Sequence, residues 1–174
     1  MSPRYDRPGT DEYAPYYETY VGKIGDDLFG TLAAQIADLM VTLRPVPDDR
    51  ANTGYAPGKW SIKEVMGHIA DTERVMAYRA MAFARGDQTP LPSFDENAWT
   101  PAGRFNERSL GSLIDEWVAV RSGTITMLNG LPQDAVTNRG TASGKTVSVR
   151  GLAYIIAGHT AHHLQIIKDR YLGS

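Results

Sequence analysis

The chain has 174 residues, of which 42% are hydrophobic and 22% are charged, and these proportions are those of a globular protein with one domain spanning residues 1–174. No apolar run approaches the ~20 residues that a membrane span needs, so we expect no membrane partner. A formal net charge of −2, with Lys and Arg scattered rather than clustered, argues against a nucleic-acid partner.

The beginning of the chain is rich in proline and tyrosine, and the whole chain contains no cysteine. Any metal site or catalytic centre must therefore use nitrogen and oxygen atoms, because the protein has no thiol of its own. The first residues lack the apolar stretch of a secretory signal, so we expect a cytoplasmic protein. Pro3, Pro8 and Pro15 predict that residues 1–17 form an extended arm that docks on the body of the protein.

Two helices are predicted in the first half of the chain. Between residues 20 and 43 the apolar side chains recur every three or four positions, and the sequence RPVPDD then ends this helical pattern. A second helix, residues 61–85, begins at a capping box, in which Ser61 and Glu64 each satisfy a free backbone amide of the first turn. Gly86 marks its end.

Two further helices are predicted in the second half. Residues 86–108 form a proline-bearing segment that is too long for a tight turn, which favours a functional role. A third helix covers residues 109–129, and after an irregular loop at 131–147 Ser148 caps a fourth helix that reaches residue 171. Four amphipathic helices bury their apolar faces on one another, so the sequence predicts an all-α four-helix bundle.

The fourth predicted helix carries three of the four histidines of the chain, in the sequence GHTAHH at residues 158–163. At about 100 degrees per residue, His163 projects roughly 40 degrees from His159, and both lie within the apolar stripe of the helix. His162 projects near −60 degrees, about 100 degrees from His163, so the three imidazoles cannot converge on one ion. His159 and His163 are the pair that faces the bundle interior.

The remaining histidine, His68, projects onto the inward face of the second helix. One buried histidine is more often a hydrogen-bonded core residue than a ligand. Three inward imidazoles without partners would be costly to bury, however, and two of them are spaced four residues apart on one helix face. The sequence therefore predicts that His68, His159 and His163 bind a divalent metal ion.

Other catalytic patterns do not fit the sequence. Thr160 stands where the helix of zinc proteases needs a glutamate, and Glu64 and His68 do not have the Glu-x-x-His spacing of di-iron bundles. The chain has no G-x-S-x-G sequence, and ASGKT at residues 142–146 lacks the first glycine of a phosphate-binding loop.

Three segments of the chain resemble the DinB-like superfamily of four-helix bundles: GKWSIKEVMGHIADTE at 58–73, SFDENAW at 93–99 and GHTAHHLQII at 158–167. The resemblance is greatest to the branch of metal-dependent hydrolases and bacillithiol transferases. It implies an up-up-down-down bundle, a homodimer, and a nickel or zinc ion on the residues that match the family's ligands, His68, His159 and His163. The three histidines by themselves do not select one metal.

Three functions are compatible with these residues. Three neutral nitrogen ligands leave a divalent ion with open positions, which is typical of a catalytic site. We expect a thiol S-transferase, which joins a low-molecular-weight thiol to a small electrophilic substrate, with metal-dependent hydrolysis as the close alternative. A non-catalytic, stress-associated metal-binding bundle is the third.

Five other side chains are weaker candidates for the site. Asp71, three residues after His68, is a candidate to orient a ligand, although an exposed carboxylate that interacts favourably with the helix dipole is the more common explanation of such a residue. His162 is either a second candidate of this kind or a surface residue. Asp95 and Trp99 are candidates to line the mouth of the site, and Arg139 is a candidate to meet an anionic substrate.

Overall fold

Four long helices form the body of the protein in a computed structural model, which describes residues 5–173. In chain order the helices are α1 (Glu18–Val21), α2 (Leu28–Leu43), α3 (Asp48–Ala51), α4 (Ile62–Ala84), α5 (Glu96–Ala102), α6 (Leu110–Asn129) and α7 (Val149–Ile166). Short 3-10 turns cover Pro15–Tyr17, Phe105–Glu107 and Gln133–Thr137, and a π-helical turn, Ile167–Leu172, extends α7. The bundle helices α2, α4, α6 and α7 confirm the predicted fold class.

The predicted starts of the last three long helices are confirmed. Ser61 accepts a hydrogen bond from the Glu64 amide at 3.1 Å, and the Glu64 carboxylate accepts one from the Ser61 amide at 2.7 Å, which completes the capping box of α4. The side chains of Ser109 and Ser148 cap α6 and α7 in the same way. Each cap satisfies backbone donors that a helix start leaves free.

The first predicted helix is divided in the structure. The short helix α1 ends at Gly22, and α2 begins only at Leu28, where the Asp27 carboxylate accepts a hydrogen bond from the Gly30 amide at 2.9 Å. Two glycines and two aspartates between the helices disfavour helix interiors, and Asp27 instead favours a new helix start. The prediction of one helix over residues 20–43 is therefore corrected.

The irregular loop predicted at residues 131–147 contains a small β-hairpin. Strands β1 (Arg139–Ala142) and β2 (Lys145–Ser148) pair antiparallel through a turn at Ser143 and Gly144, which have φ values of 52° and 71°. Leu91 of the preceding long segment forms a parallel bridge to Ala142. The hairpin thus fastens the two long loops to each other beside the bundle.

Helix directions follow from contacts at the bundle ends. The Tyr171 hydroxyl, after α7, donates to the Trp60 carbonyl just before α4 at 2.5 Å, so these two helices run antiparallel. Arg50, after α2, bonds to the Tyr171 carbonyl, so α2 and α7 end at the same side. Ser61 donates to Asn106 at 2.6 Å, which brings the long loop back to the start of α4.

The resulting direction order of the four bundle helices is up-down-down-up, and α2 and α4 each pack between α6 and α7. The bundle is confirmed, whereas the expected up-up-down-down order is corrected for the second and fourth helices. The physical reason is that only the segment between α4 and α6 runs the length of the bundle. The other two connections join helix ends that lie at the same side.

A buried ion pair joins all four bundle helices. Arg121 of α6, which is fully buried, donates two hydrogen bonds to the Glu73 carboxylate of α4, at 2.8 and 2.9 Å. It also donates to Gln35 of α2 at 2.5 Å and to Thr160 of α7 at 2.9 Å. A buried arginine and carboxylate need such complete pairing, so this cluster fixes how the helices are rotated against one another.

The N-terminal arm docks on the bundle from Tyr5 onward. The Tyr5 hydroxyl donates to the Leu128 carbonyl at 3.0 Å, and Glu12 pairs with Arg150 at the start of α7. These contacts confirm the docking that the tyrosines predicted, while Pro3 lies outside the described residues. Within residues 5–173, no helix has the length and apolar character that a bilayer crossing requires.

Candidate metal centre

Three imidazoles from two helices meet inside the bundle. His68 lies in the second turn of α4, and His159 and His163 lie one turn apart on α7. Their Nε2 atoms are separated by 3.0 Å between His68 and His159 and by 3.1 Å between His163 and His159. One ligand atom from each residue lies within 4.8 Å of the other two. The structure therefore brings together the three residues that the sequence singled out.

These three nitrogens cannot satisfy one another by hydrogen bonding. His159 Nε2 stands in both short contacts, and a neutral imidazole nitrogen carries either one proton or one lone pair. It can therefore complete only one of the two hydrogen bonds. A cation that accepts a lone pair from each of the three nitrogens would resolve the conflict. Two metal–nitrogen bonds of ~2.0–2.1 Å at a tetrahedral angle separate their nitrogens by about 3.3 Å. The donor set thus fits a divalent ion.

Burial keeps the three imidazoles neutral. It lowers the pKa of His68 to about 4, against a small opposite effect of the Glu96 carboxylate. Burial also lowers the pKa of His163 to about 3, and it lowers the pKa of His159 furthest, with added repulsion from the neighbouring histidines and Arg121. Neutral imidazole is the protonation state that binds metals, so the site needs no proton release near neutral pH.

Two glycines allow neighbouring segments to pack beside the ligands. Gly67 precedes His68, and a Cβ atom there would collide with the Phe105 ring. Gly158 precedes His159, and a Cβ atom there would collide with the backbone of Tyr20. The Tyr20 ring then lies edge-on to His159, with 5.4 Å between ring centroids. Close approach of these segments closes the site around the imidazoles.

The orientation of α7 is also fixed by hydrogen bonds from two other helices, α6 and α2. Thr160, next to His159, accepts a hydrogen bond from Arg121 at 2.9 Å, and the Ala157 carbonyl accepts one from Gln35 at 2.8 Å. These two bonds involve residues on either side of His159 in the sequence, and they fix the rotation of α7 about its own axis. The buried ion pair that joins the four helices thereby also positions a ligand.

The site is open to two cavities. A cavity of about 510 Å³ is lined by His68 and His159, and a second of about 270 Å³ is lined by His163 together with Lys59 and Trp60. Within the described part of the chain, no carboxylate or further histidine joins the three ligands. Three nitrogen ligands with adjoining free space are the arrangement of a catalytic rather than a structural metal site.

Two of the weaker candidates lie near the ligands without joining them. His162 is half-buried, stands beside Tyr20 and His163, and is not a member of the three-residue group. Asp71 pairs with Arg74 of its own helix at 3.3 Å, and burial raises the pKa of this carboxyl. No contact joins Asp71 to an imidazole among residues 5–173, so a role in orienting the ligands is not supported.

The three loop candidates serve other contacts. Asp95 caps α5 by accepting from the Asn97 and Ala98 amides at 3.0 and 3.3 Å. Trp99 stacks on Phe94 and lines a neighbouring cavity of about 390 Å³ rather than the one beside the histidines. Arg139 pairs with Asp11 of the arm at 2.7 Å. The sequence placed all three on the correct loops, but the structure does not bring them to the metal centre.

Three residues of the larger cavity were not predicted. They are Thr72 and Arg79 of α4 and Glu96 of α5, which line it together with His68 and His159. Arg79 projects about 20 degrees from His68 on a helical wheel, so a charged residue on the inward face was a signal in the sequence. Glu96 had no such signal, because its position depends on the path of a long loop.

The fold and this centre define a class of histidine-bearing four-helix bundles, and comparison with known proteins identifies the family. The sequence model of the DinB superfamily matches residues 31–167, so the chain belongs to this superfamily. The match covers all four bundle helices except the first turn of α2.

Two individual proteins are similar to the chain. A protein of Oceanobacillus iheyensis named "putative metal-dependent hydrolase" is 27% identical over 163 residues, which cover 90% of this chain and 82% of the relative. The solved structure of YfiT from Bacillus subtilis, described as "a probable metal-dependent hydrolase with an unusual four-helix bundle topology", superposes with a TM-score of 0.77. That match has 16% sequence identity and covers 97% of this chain and 94% of YfiT, so it supports the fold alone.

Proposed function

We propose that this protein is a metal-dependent hydrolase that binds a divalent ion, nickel or zinc, through His68, His159 and His163. The observation that carries the proposal is the convergence of three neutral imidazole nitrogens that cannot pair with one another, next to a cavity. The name of the Oceanobacillus relative favours hydrolysis over the other activities considered.

An ion bound to these residues supplies Lewis-acid chemistry, because it polarises a substrate oxygen and lowers the pKa of a coordinating water or thiol. The chain's own groups do the rest. Burial excludes bulk water from two ligands, since His68 is 8% exposed and His159 is 6% exposed. The exposed Glu96 carboxylate lines the same cavity and its charge acts on His68, which supports a role as the group that accepts a proton from an attacking water.

The substrate that we propose is a small molecule. A cavity of about 510 Å³ falls within the range of ligand pockets, ~300–1,000 Å³. Three tyrosines of the arm and α1, Tyr16, Tyr17 and Tyr20, line this cavity and give it apolar surface for a ligand.

The experiment is a hydrolysis assay with a panel of small carboxylic esters, amides and phosphoesters. Protein loaded with zinc or nickel should hydrolyse at least one class, and both chelation and His159→Ala should abolish the rate. His162→Ala is the matched control and should keep the rate, because this neighbouring imidazole is outside the ligand group. A rate that survives chelation and His159→Ala would refute the proposal. Metal binding without any metal-dependent rate would favour the non-catalytic alternative.

Thiol transfer is the second candidate, and the two cavities favour it. A reaction between a thiol and an electrophile needs room for two molecules beside the ion, and the histidines border separate spaces on two sides. The thiol must come from a small cosubstrate, because the chain has no cysteine. A panel of cellular thiols, including glutathione, bacillithiol and mycothiol, would test it with a common electrophile. We expect one thiol to be conjugated only by metal-loaded protein, and a panel without any metal-dependent rate would eliminate this candidate.

The homodimer, the cytoplasmic location and the absence of a nucleic-acid partner stay predictions. Sedimentation of the purified protein measures the first directly, and a mass of twice the 19.1 kDa chain is the expected result.

A further inference from the structure

The far end of the larger cavity contains a buried arginine. Arg79 of α4 is 2% exposed, and within residues 5–173 its guanidinium bonds to neutral groups: the Pro92 carbonyl at 2.6 Å, the Ser143 hydroxyl at 3.0 Å, the Met76 sulfur at 3.7 Å and the Tyr17 side chain. No ion pair within residues 5–173 includes it. Burial lowers its pKa, with a weaker opposite effect of Tyr16 and Tyr17.

This environment differs from that of the other buried arginine. Arg121 makes two hydrogen bonds to the Glu73 carboxylate, as a buried cation normally does. An arginine stays protonated in proteins, so Arg79 keeps a positive charge that no carboxylate balances. Its place at the cavity wall suggests that the balancing charge comes with a ligand.

A second polar side chain in the same cavity, that of Thr72, lacks a hydrogen-bond partner within residues 5–173. Thr72 Oγ1 is buried without a hydrogen bond to any of the described residues, and Thr72 is 5% exposed. A buried hydroxyl without a partner carries a free-energy cost, which a hydrogen bond to a ligand would remove. Thr72 lies one turn after His68 on α4, between the histidines and Arg79.

Charge is divided along the cavity. Glu96 acts on His68 and Tyr20, whereas the groups that influence Arg79 are the hydroxyls of Tyr16 and Tyr17. The Arg79 guanidinium contacts the sulfur of Met76, which lies eight residues after His68 on α4. With a rise of ~1.5 Å per residue, this spacing along the helix is about 12 Å. The carboxylate therefore lies at the histidine end of the cavity and the arginine at the other.

From this arrangement we infer that the cavity binds an anionic small molecule. Arg79 binds its carboxylate or phosphate group, Thr72 hydrogen-bonds a polar atom in its middle, and the reacting bond lies at the histidines, on the order of 10 Å from the anion. The inference names the substrate class of the proposed hydrolase, and the reaction site in it rests on that proposal. The anion site itself does not depend on a metal ion.

Arg79 also has a structural role that the experiment has to separate from ligand binding. Its bonds to Pro92 and Ser143 tie the segment after α4 to the hairpin turn. A variant at this position can therefore disturb the cavity wall as well as remove the charge. A pair of probes that match in size and differ in charge addresses this, because the two affinities measure the effect of the ligand's charge within one protein.

The experiment measures binding of hippurate and of its uncharged primary amide, hippuramide, by calorimetry. Both probes have nearly the same size and a central amide, and only hippurate carries a carboxylate. Wild-type protein should bind hippurate about tenfold more tightly or better, as expected for a hydrogen-bonded charge pair. Because a bound metal also attracts anions, the preference is measured in protein treated with chelator and again after zinc loading.

Three variants distinguish the contribution of the Arg79 charge from that of the Thr72 hydrogen bond. Arg79→Met should abolish the preference for hippurate, and Arg79→Lys should retain part of it. Thr72→Val should weaken both probes by roughly threefold to tenfold and leave the preference unchanged, because a neutral hydrogen bond is lost. Arg85→Met is the matched control, since Arg85 is exposed at the end of the same helix and should not affect either probe.

Each outcome decides for or against the inference. Equal binding of the two probes by chelated wild-type protein, or no binding of hippurate, would overturn it even if Arg79→Met fails to fold. A preference that appears only with zinc and survives Arg79→Met would assign the anion to the ion instead, which leaves the proposed hydrolase intact. A preference for hippurate in wild-type protein that fails to bind zinc or nickel at all would keep the anion site and refute the metal-dependent hydrolase.

Discussion

At the scale of single residues, the central histidine is His159. Its Nε2 atom is the one that lies in short contact with both other imidazole nitrogens, and its ring is enclosed by Tyr20. The repulsion from its neighbours contributes to lowering its pKa. Its Nε2 atom is therefore the one whose two short contacts the imidazoles alone cannot both complete as hydrogen bonds.

The first prediction concerns metal content. His68→Ala, His159→Ala and His163→Ala should each weaken metal binding by more than about a hundredfold, the upper limit for losing only an outer partner of a ligand. His162→Ala should bind one metal ion per chain, which is also the result we expect for the wild type. Metal analysis of the four purified variants after dialysis measures the difference. Loss of the ion from His162→Ala to the same extent as from His159→Ala would show that the three-residue assignment is wrong.

The convergence of the three histidines could be predicted from the sequence because helix geometry alone decides which side chains share a face. His68, His159 and His163 fall on inward faces, and His162 does not. Arg79 falls on the same face as His68, but its meaning depends on whether a carboxylate lies beside it. That is a tertiary contact, and no spacing in the sequence determines it.

At the scale of elements, the docked arm is tied to the first turn of α7. Burial would raise the pKa of Glu12, but hydrogen bonds from Arg150, the Gly9 amide and Ser148, with the charge of Arg150, together lower it to about 2. The Ser148 amide also donates to the Glu12 carbonyl at 3.0 Å. Glu12 therefore anchors the arm at the helix that carries two of the ligands.

The second prediction is a dependence of stability on pH. Because the pKa of Glu12 is lower in the folded protein than its usual value of 4.5, its contribution is complete above about pH 4.5 and is lost as the pH falls toward 2. Glu12→Gln should lower the free energy of unfolding by about 2–3 kcal/mol at pH 7, and by progressively less below pH 4.5. Urea unfolding of both proteins at several pH values measures this difference.

Asp11→Asn is the control for the arm. Asp11 pairs with Arg139, but it is exposed, so its removal should cost less than that of Glu12. A loss for Glu12→Gln that stays constant from pH 7 to pH 3 would contradict the assigned pKa.

Helix starts were more predictable than the connections between helices. The caps at Ser61, Ser109 and Ser148 depend on local hydrogen bonds, so the sequence identifies them. The hairpin has strands of four residues each, too short for an alternating pattern to be recognised. Its one local signal in the sequence is the pair Ser143 and Gly144. In the structure both residues have positive φ, which is typical of a tight hairpin turn.

At the scale of the whole molecule, helix direction depends on where each connection lies. Amphipathic patterns show that four helices pack together, but the same patterns are compatible with several direction orders. The order is decided by the segment between α4 and α6, which returns along the bundle and bonds to Ser61 through Asn106. Such long-range placement is beyond what local spacing contains, so the expected order, which came from the family resemblance, had no independent check in the sequence.

The four helices share one buried charge cluster as well as an apolar core. Arg121 hydrogen-bonds to residues of all three other bundle helices and lies over the Trp117 ring at 4.8 Å from its centroid. A buried pair of this kind adds little net stability compared with apolar residues, but removing one member leaves an unpaired charge. The cluster therefore favours one arrangement of the helices over others.

The last prediction tests this cluster. Arg121→Met should destabilise the protein by about 3–5 kcal/mol, because the Glu73 carboxylate stays buried without its partner. Adding Glu73→Gln should recover part of that loss, since the amide is neutral. Arg44→Met is the control: Arg44 pairs with Asp115 between α2 and α6 at the surface, and its loss should cost less than about 1 kcal/mol. Urea unfolding gives the four free energies, and a double variant less stable than Arg121→Met alone would contradict the assignment of the loss to an unpaired carboxylate.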